Sequence, residues 1–480
     1  MAWVVLYAFI SLVILFFAVI LIRTAMFVPK QKEKEAPEDV CFDKDAAIEA
    51  LATLVRCKTV SRYSRDEEDE AEFEKLISCL PTLYPKVFDT CDLKKFDDRG
   101  LLFKWKGKSE GDPLVLMAHY DVVPVVEEKW EKPAFDAIIE DGIMWGRGTL
   151  DTKVTFNGVL SAANTLIGEG FVPDHDIYFA FSGGEEVNGL GAQNIVNYFA
   201  AEGITPSAVV DEGGAVVENV FPGVNKPCAM IGIGEKGLLD LKYEVTSNGG
   251  HASAPKPHTP VGELSAACCN VENHPFKSHI TAPVAQMFDT LGRHSTFVYR
   301  MIFANLWCFR PALDMIAKKS GGEMNALMRT TVAFTQMKGS DASNVIPPSA
   351  SMVSNIRINP ADSVDSVIEY IKKTVDNDRI NVSAIFANEP SRISTTDCEG
   401  WEKVVNAVSD TWQGTIVTPY LMVQCSDSRH YGAISDKVYR FSAMDLTSEE
   451  RASIHGNNER IRLESICRAV EFYIRLMHQF

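Results

Sequence analysis

Two histidines and a series of carboxylates have the types and spacing that chemistry needs. His119 and Asp121 stand two apart in MAHYDVVP, and in an extended segment such residues point the same way. A carboxylate beside a histidine fixes its tautomer and leaves the other ring nitrogen for a metal. Asp151, in GRGTLDTK, lies at a loop-to-helix junction, where a lone Asp is most simply a helix N-cap. Glu185 and Glu186, in FSGGEEVNG, repel one another unless a cation or proton intervenes. One can then bind metal while its neighbour acts as general base. Asp211 and Glu212 follow another apolar run in VVDEGG, and His455 lies far along the chain in SIHGNNE. Each alone reads as a polar strand end, a solvated turn or a surface histidine. Together, hard oxygen donors with imidazole fit Zn²⁺, Mn²⁺ or Co²⁺, and a metal pair needs a bridging carboxylate.

A repeating pattern delivers these positions. The apolar runs PLVLMAHYDVV, DIYFAFSGGEE and SAVVDEGG each end in one of the polar clusters. Helical spacing is read over residues 46–55, 69–80 and 151–166, and in GAQNIVNYFAAEG. Strands alternating with helices predict an α/β fold with a mostly parallel sheet, whose ligands sit beyond the carboxyl ends of its strands. From Ile231 the texture changes. IGIGEKGLLDLKYEVTS reads as an antiparallel strand pair and HASAPKPHTPVGELSAACCNVE as the start of a helix. TTVAFTQMKGS and SASMVSNIRINP read as two more strands, before a helix over 363–376. This predicts a smaller α+β unit, residues 231–393, inserted into a catalytic domain formed by 45–230 and 394–480. The segment 288–318, rich in Phe, Leu, Met and Trp, is assigned to the inserted unit. It faces an acyl chain, packs that unit or touches a membrane.

Residues 2–22 run without charge, Gly or Pro. At about 1.5 Å per residue they reach roughly 31 Å, enough to cross a hydrocarbon core. The apolar run is long for a signal peptide and no clear A-x-A site follows. An uncleaved anchor over 1–28 is therefore favoured, followed by a polar linker over 29–44. Arg23, Lys30, Lys32 and Lys34 follow the run and favour a cytoplasmic body by the positive-inside tendency. The sequon Asn381-Val382-Ser383 offers a test of lumenal exposure. The chain has 480 residues, 46% of them hydrophobic, and a net charge of -17. That composition suits a large globular core and argues against nucleic acid as a partner. The eleven cysteines include no CxxC and read mostly as small buried hydrophobes.

The ordered set HYDVVP, GRGTLD, SGGEE, VVDEGG, GGHASAP and IHGNNE resembles the di-zinc aminoacylase/carboxypeptidase S metallopeptidase family. Within it, the match is similar to the N-fatty-acyl-amino acid synthase/hydrolase branch. The resemblance covers nearly everything from Asp45 onward. It implies two zinc ions, with Mn²⁺ or Co²⁺ as substitutes. His119 and Asp211 (or Glu212) would hold one, Glu186 and His455 the other, and Asp151 would bridge them. Asp121 would orient His119. Glu185 would move a proton from water to the leaving nitrogen. His251, in GGHASAP, would stabilise the oxyanion and can come from a partner subunit, which implies a homodimer. Asn344, Arg357 and Arg429 resemble substrate-contacting positions, and an Arg fork can clamp a free carboxylate. The inserted unit would be a lid or dimerisation domain, and the body lumenal or extracellular, against the charge flanks.

The expected activity is metal-dependent hydrolysis, or formation, of the amide of an N-acyl amino acid with a free carboxylate, with a fatty acyl group preferred. A carboxypeptidase acting on short peptides is the nearest rival. A catalytically inactive binding protein using the same cleft and a membrane scaffold are rivals of other classes. A single span offers no transport pathway.

Overall fold

Uninterrupted apolar runs become strands buried on both faces. Leu114–His119 and Ile177–Ser182 are buried at every position, as expected where helices cover both sides of a parallel sheet. The computed structural model describes residues 1–30 and 37–480; residues 31–36 of the expected linker lie outside the described residues.

The central sheet has eight strands. Their order is Asp92–Phe96, Gly100–Trp105, Ile177–Ser182, Leu114–His119, Ala208–Val217, Val438–Leu446, Cys228–Glu235 and Ile416–Met422. The middle is parallel: Leu114–His119 lies parallel to both neighbours, and Val438–Leu446 parallel to Ala208–Val217. Direction reverses toward both edges. Gly100–Trp105 runs antiparallel to Ile177–Ser182, and Cys228–Glu235 antiparallel to Val438–Leu446. The helix Lys153–Gly168 is buried along most of its length. It packs against Leu463–Met477, Lys44–Val55 and the strand Leu114–His119. Its near-continuous burial follows from covering one sheet face while being covered itself.

A second, antiparallel sheet has the order Thr331–Lys338, Ser349–Ile358, Gly237–Thr246 and Asn381–Asn388. Gly237–Thr246 alternates buried and half-exposed residues, the mark of a sheet with one covered face. Helices Pro260–Asn273 and Val364–Val375 contribute Leu264, Val271, Val367 and Ile371 to its separate core. Ser363 closes a capping box on the second helix, which starts it at the predicted residue. Asn381 is exposed at the start of an edge strand.

Two sequence expectations change. The segment 231–247 is not a hairpin: its first part lies in Cys228–Glu235, which joins the central sheet, and only Gly237–Thr246 enters the second. The helices Ala282–His294, Phe297–Ala304, Leu306–Ser320 and Gly322–Met328 do not pack the small unit. Val284, Met287, Phe288, Leu291 and Phe303 belong to the large core, with Ala282–His294 against the edge strand Ile416–Met422. Thus an apolar stretch inserted in one domain covers the edge of the other.

Ala2–Met26 is one helix, long and apolar enough to cross a membrane. Only Ile20 and Thr24 are buried along it. Its end docks on the body. Arg23 donates to the Ala304 carbonyl at 3.0 and 3.2 Å, and Asn305 Nδ2 donates to Ile20 O and Thr24 Oγ1 at 3.3 Å. Phe16 meets Trp307 edge-on at 5.7 Å.

Candidate metal centre

His119 ends its strand opposite Ser182 in the neighbouring parallel strand. The sheet therefore delivers the imidazole and the Glu185–Val187 turn to one rim. The His119 ring is fixed from behind. Its Nδ1 lies 3.3 Å from Asp121 Oδ1 and 3.0 Å from Asp121 O, so Nε2 faces forward. Asp121 is fully buried. It also accepts hydrogen bonds from Ser61 Oγ at 2.7 Å, Glu185 N at 3.1 Å and Glu186 N at 3.2 Å. One carboxylate thus orients the histidine and pins the acidic turn.

Asp151 sits between two imidazoles. Its Oδ1 is 2.9 Å from His119 Nε2, and its Oδ2 is 2.9 Å from His455 Nε2. His455 Nε2 also lies 3.1 Å from Glu186 Oε2, and His119 Nε2 lies 3.2 Å from Glu212 Oε1. Two overlapping donor groups result: His119 with Glu185 and Glu212, and His119 with Asp151 and Glu186. The N-cap reading of Asp151 does not hold, because Thr152 occupies that position.

Between the two acids left open in VVDEGG, the backbone decides which faces this cluster. Register between Ala208–Val217 and Val438–Leu446 jumps from Asp211↔Arg440 to Gly214↔Phe441. The two residues between are extra, as in a bulge that re-aims a side chain. Glu212 turns into the cluster. Asp211, placed first in the sequence reading, turns away and accepts from Ser428 N at 3.0 Å. The following glycines make room: a Cβ on Gly213 would meet Arg440 Cβ and Met422 Sδ at 2.7 Å, and one on Gly214 would meet Met230 O at 1.7 Å.

The electrostatics are those of a site built for cations. Burial pushes Glu186 up to about 7, helped by Asp151. Burial likewise lifts Glu212 to about 7, against the pull of His119. Glu185 is held well above the usual carboxylate range, by burial and then by Asp427, Glu212 and Glu186 against His119. Burial opposes charge on His119, yet Glu212, Asp121 and Asp151 overcome it and raise the imidazole well above its ordinary range. Hydrogen bonds donated to Asp151 and Glu186 raise His455 to about 11. Buried carboxylates this close need positive charge among them. Divalent cations suit these oxygen and nitrogen donors.

Several residues were not anticipated. Glu459, fully buried, accepts from Gly148 N, Leu150 N and Asp151 N at 2.7–3.2 Å and pairs with Arg147 at 2.5 Å. It therefore holds the loop that presents Asp151. The signal was available, since Glu459 is the last letter of IHGNNE. Beneath Asp211, Glu235 pairs with Arg440 and accepts from Ser426 N at 3.0 Å. The cavity at the cluster, about 370 Å³, is walled by Asp151, Glu185, Glu186, Glu212 and His455, together with Gln424 and Arg451.

Other predicted contacts lie apart. His251 and Asn344 come together through a two-residue ladder, Gly250–His251 against Val345–Ile346, and the Ala252 N bond to Asn344 O at 3.0 Å. Both are exposed on the small unit, and neither walls the cavity. Arg357 reaches toward the cavity, with Nη1 at 3.6 Å from the Cys425 sulfur. Arg429 donates to Ser426 O at 2.9 Å and Asn188 Oδ1 at 3.3 Å. Its Nε is buried without a partner. All eleven cysteines are free.

Comparison with known proteins agrees with this arrangement. The profile of Peptidase family M20/M25/M40 matches residues 115–479. The chain belongs to that family. This M20 chain is 34% identical to the N-fatty-acyl-amino acid synthase/hydrolase PM20D1 of Xenopus tropicalis, covering 98% of this chain and 94% of the relative. It is also 34% identical to the probable carboxypeptidase S-like 2 of Dictyostelium discoideum, covering 95% and 91%. The M20 family metallo-carboxypeptidase Sso-CP2 from Sulfolobus solfataricus shares the fold at 17% identity, with a TM-score of 0.66 over 90% of this chain and 98% of that one. The M20 chain is accordingly a metal-dependent peptidase or amidohydrolase.

Proposed function

We propose that this protein hydrolyses the amide bond of N-acyl amino acids, with a fatty acyl group favoured, using two zinc ions. The observation that carries the reading is Asp151, whose two oxygens each meet a different imidazole at 2.9 Å. His119 and Glu212 would hold one ion, His455 and Glu186 the other, and Asp151 would lie between. Once bound, the ions supply carbonyl polarisation and acidified water. Mn²⁺ or Co²⁺ would serve the same donors. Glu185 takes the proton from the attacking water and delivers it to the departing nitrogen. Its raised proton affinity suits both halves of that task. Asp121 keeps the His119 Nδ1 proton in place. Arg429, with an unsatisfied Nε, and Arg357, beside Cys425, take the substrate carboxylate. Asn344 contacts the substrate from the small unit, which acts as a lid.

The fatty-acyl preference is supported by the similarity to the N-fatty-acyl-amino acid synthase/hydrolase PM20D1 of Xenopus tropicalis. His251 supplies an oxyanion donor from a second copy of the chain, consistent with its exposure outside the cavity. Ala2–Met26 anchors the enzyme in a membrane, supported by its length and largely unburied apolar surface. The body is placed on the lumenal or extracellular side, where the exposed Asn381 would carry glycan.

The deciding experiment measures metal content and turnover of long-chain N-acyl amino acids against short dipeptides. Two ions per chain and faster cleavage of the acyl substrates are expected. Faster dipeptide cleavage would favour a carboxypeptidase, and absence of bound metal would remove the basis of the mechanism.

A further inference from the structure

A second cavity, about 590 Å³, opens off the metal cavity. Gly213, Gln424, Leu446, Arg451 and Ile454 wall both. At that junction Arg451 lies 4.0 Å from Glu323, which also lines the second cavity. Beyond it the walls are Phe221, Met230, Met287, Leu291, Met324 and Leu327. The size falls in the range that encloses a small organic ligand. It is also about four times the ~150 Å³ of a dry cavity that holds one benzene.

The origin of the walls is informative. Met287, Leu291, Met324 and Leu327 come from the helices that leave the small unit and cover the edge of the central sheet. Tyr299 lines the cavity yet is 40% exposed. It lies on the helix against which Ala2–Met26 packs, beside the exposed Phe297 and Val298. The apolar wall therefore runs from the carboxylate cluster to the face that carries the anchor.

We propose that this cavity is the subsite for the acyl tail of the substrate, with the scissile amide held at the carboxylate cluster and the tail passing the Gln424–Arg451 junction toward Tyr299. The assignment rests on the amidohydrolase reading above. It explains what that reading does not, namely how one cleft tells a long hydrocarbon from a peptide. A peptide would expose unpaired backbone groups to this wall, whereas each methylene placed in it gains roughly fourfold in affinity.

Binding separates this proposal from the reading beneath it. The full chain, in nanodiscs and loaded with zinc, carries Glu185→Gln so that nothing is cleaved. N-acyl glycines from acetyl to palmitoyl are titrated in turn. Affinity is expected to climb with chain length and then level off once the cavity is full. Met324→Trp, on a half-buried wall residue, should lower the palmitoyl-to-acetyl affinity ratio at least tenfold. Val220→Trp, from another part of the wall, should do the same and serves if the first variant misfolds. Leu327→Ala should move the plateau to longer chains. Ile385→Trp, on an exposed edge strand of the small unit, should change nothing. If both cavity tryptophans leave the ratio at its unsubstituted value, the tail lies elsewhere. A flat chain-length series would overturn the subsite even if the protein proves to be an amidase. A rising series blocked by tryptophan would uphold it even if turnover is absent.

Discussion

The two domains hold their polar residues in different ways. In the large domain, His119, Glu186 and Glu212 are aimed by parallel strand ends, a pinned turn and a bulge, while Asp121 fixes His119 and the acidic turn and Glu459 fixes the Asp151 loop. In the small unit, His251 and Asn344 sit on a two-residue ladder open to solvent. One set is preorganised; under the proposed mechanism the other would act only after being brought to the crevice. Preorganised groups contribute most where charge develops, so substitutions should hurt more in the first set than in the second.

Glu185→Gln gives the largest expected loss, on the order of 10³-fold in kcat, because it removes a proton carrier. Zinc content should stay unchanged. By contrast, His119→Ala should lose activity and metal together, and elemental analysis separates the two outcomes. Equal metal loss in both variants would erase the distinction between proton carrier and ligand.

His251→Ala is next, at about 10²-fold in kcat, the usual cost of an oxyanion donor. Mixing His251→Ala with Glu185→Gln chains should restore part of the activity if the imidazole crosses between copies. No recovery in mixed oligomers would return His251 to its own chain's crevice. Arg429→Ala should act chiefly on KM, by about tenfold, since a charged hydrogen bond to the substrate carboxylate is lost.

A separate effect concerns stability alone. Burial, and then Arg429, lowers His430 from 6.5 to about 4. The folded state therefore resists a proton that the unfolded chain accepts. Stability is complete above pH 6.5 and falls as pH drops toward 4, by about 3 kcal/mol at 1.36 kcal/mol per unit. His430→Gln should flatten that limb in denaturant titrations. An unchanged acid limb would show that other groups set it.

The sequence announced the crevice better than its surroundings. Strands buried on both faces and ending in acids are visible as apolar runs with polar tails, so His119, Asp151, Glu186 and His455 were found by position. Choosing Glu212 over Asp211 required a register shift, which depends on the partner strand and leaves no local mark. Glu459 was passed over because a buried acid that holds backbone amides has the same letter as a surface one. The placement of Ala282–Met328 was missed for a related reason. Its apolar faces were legible, but nothing in hydrophobic spacing states which core they join.

The seating of Ala2–Met26 has a mechanical result. With Arg23 donating to Ala304 O and Asn305 donating to Ile20 O and Thr24 Oγ1, the apolar helix is a keel and not a tether. Whatever sets its tilt also sets the compass bearing and height of the crevice, so lengthening this junction should unsteer the enzyme without touching a single ligand.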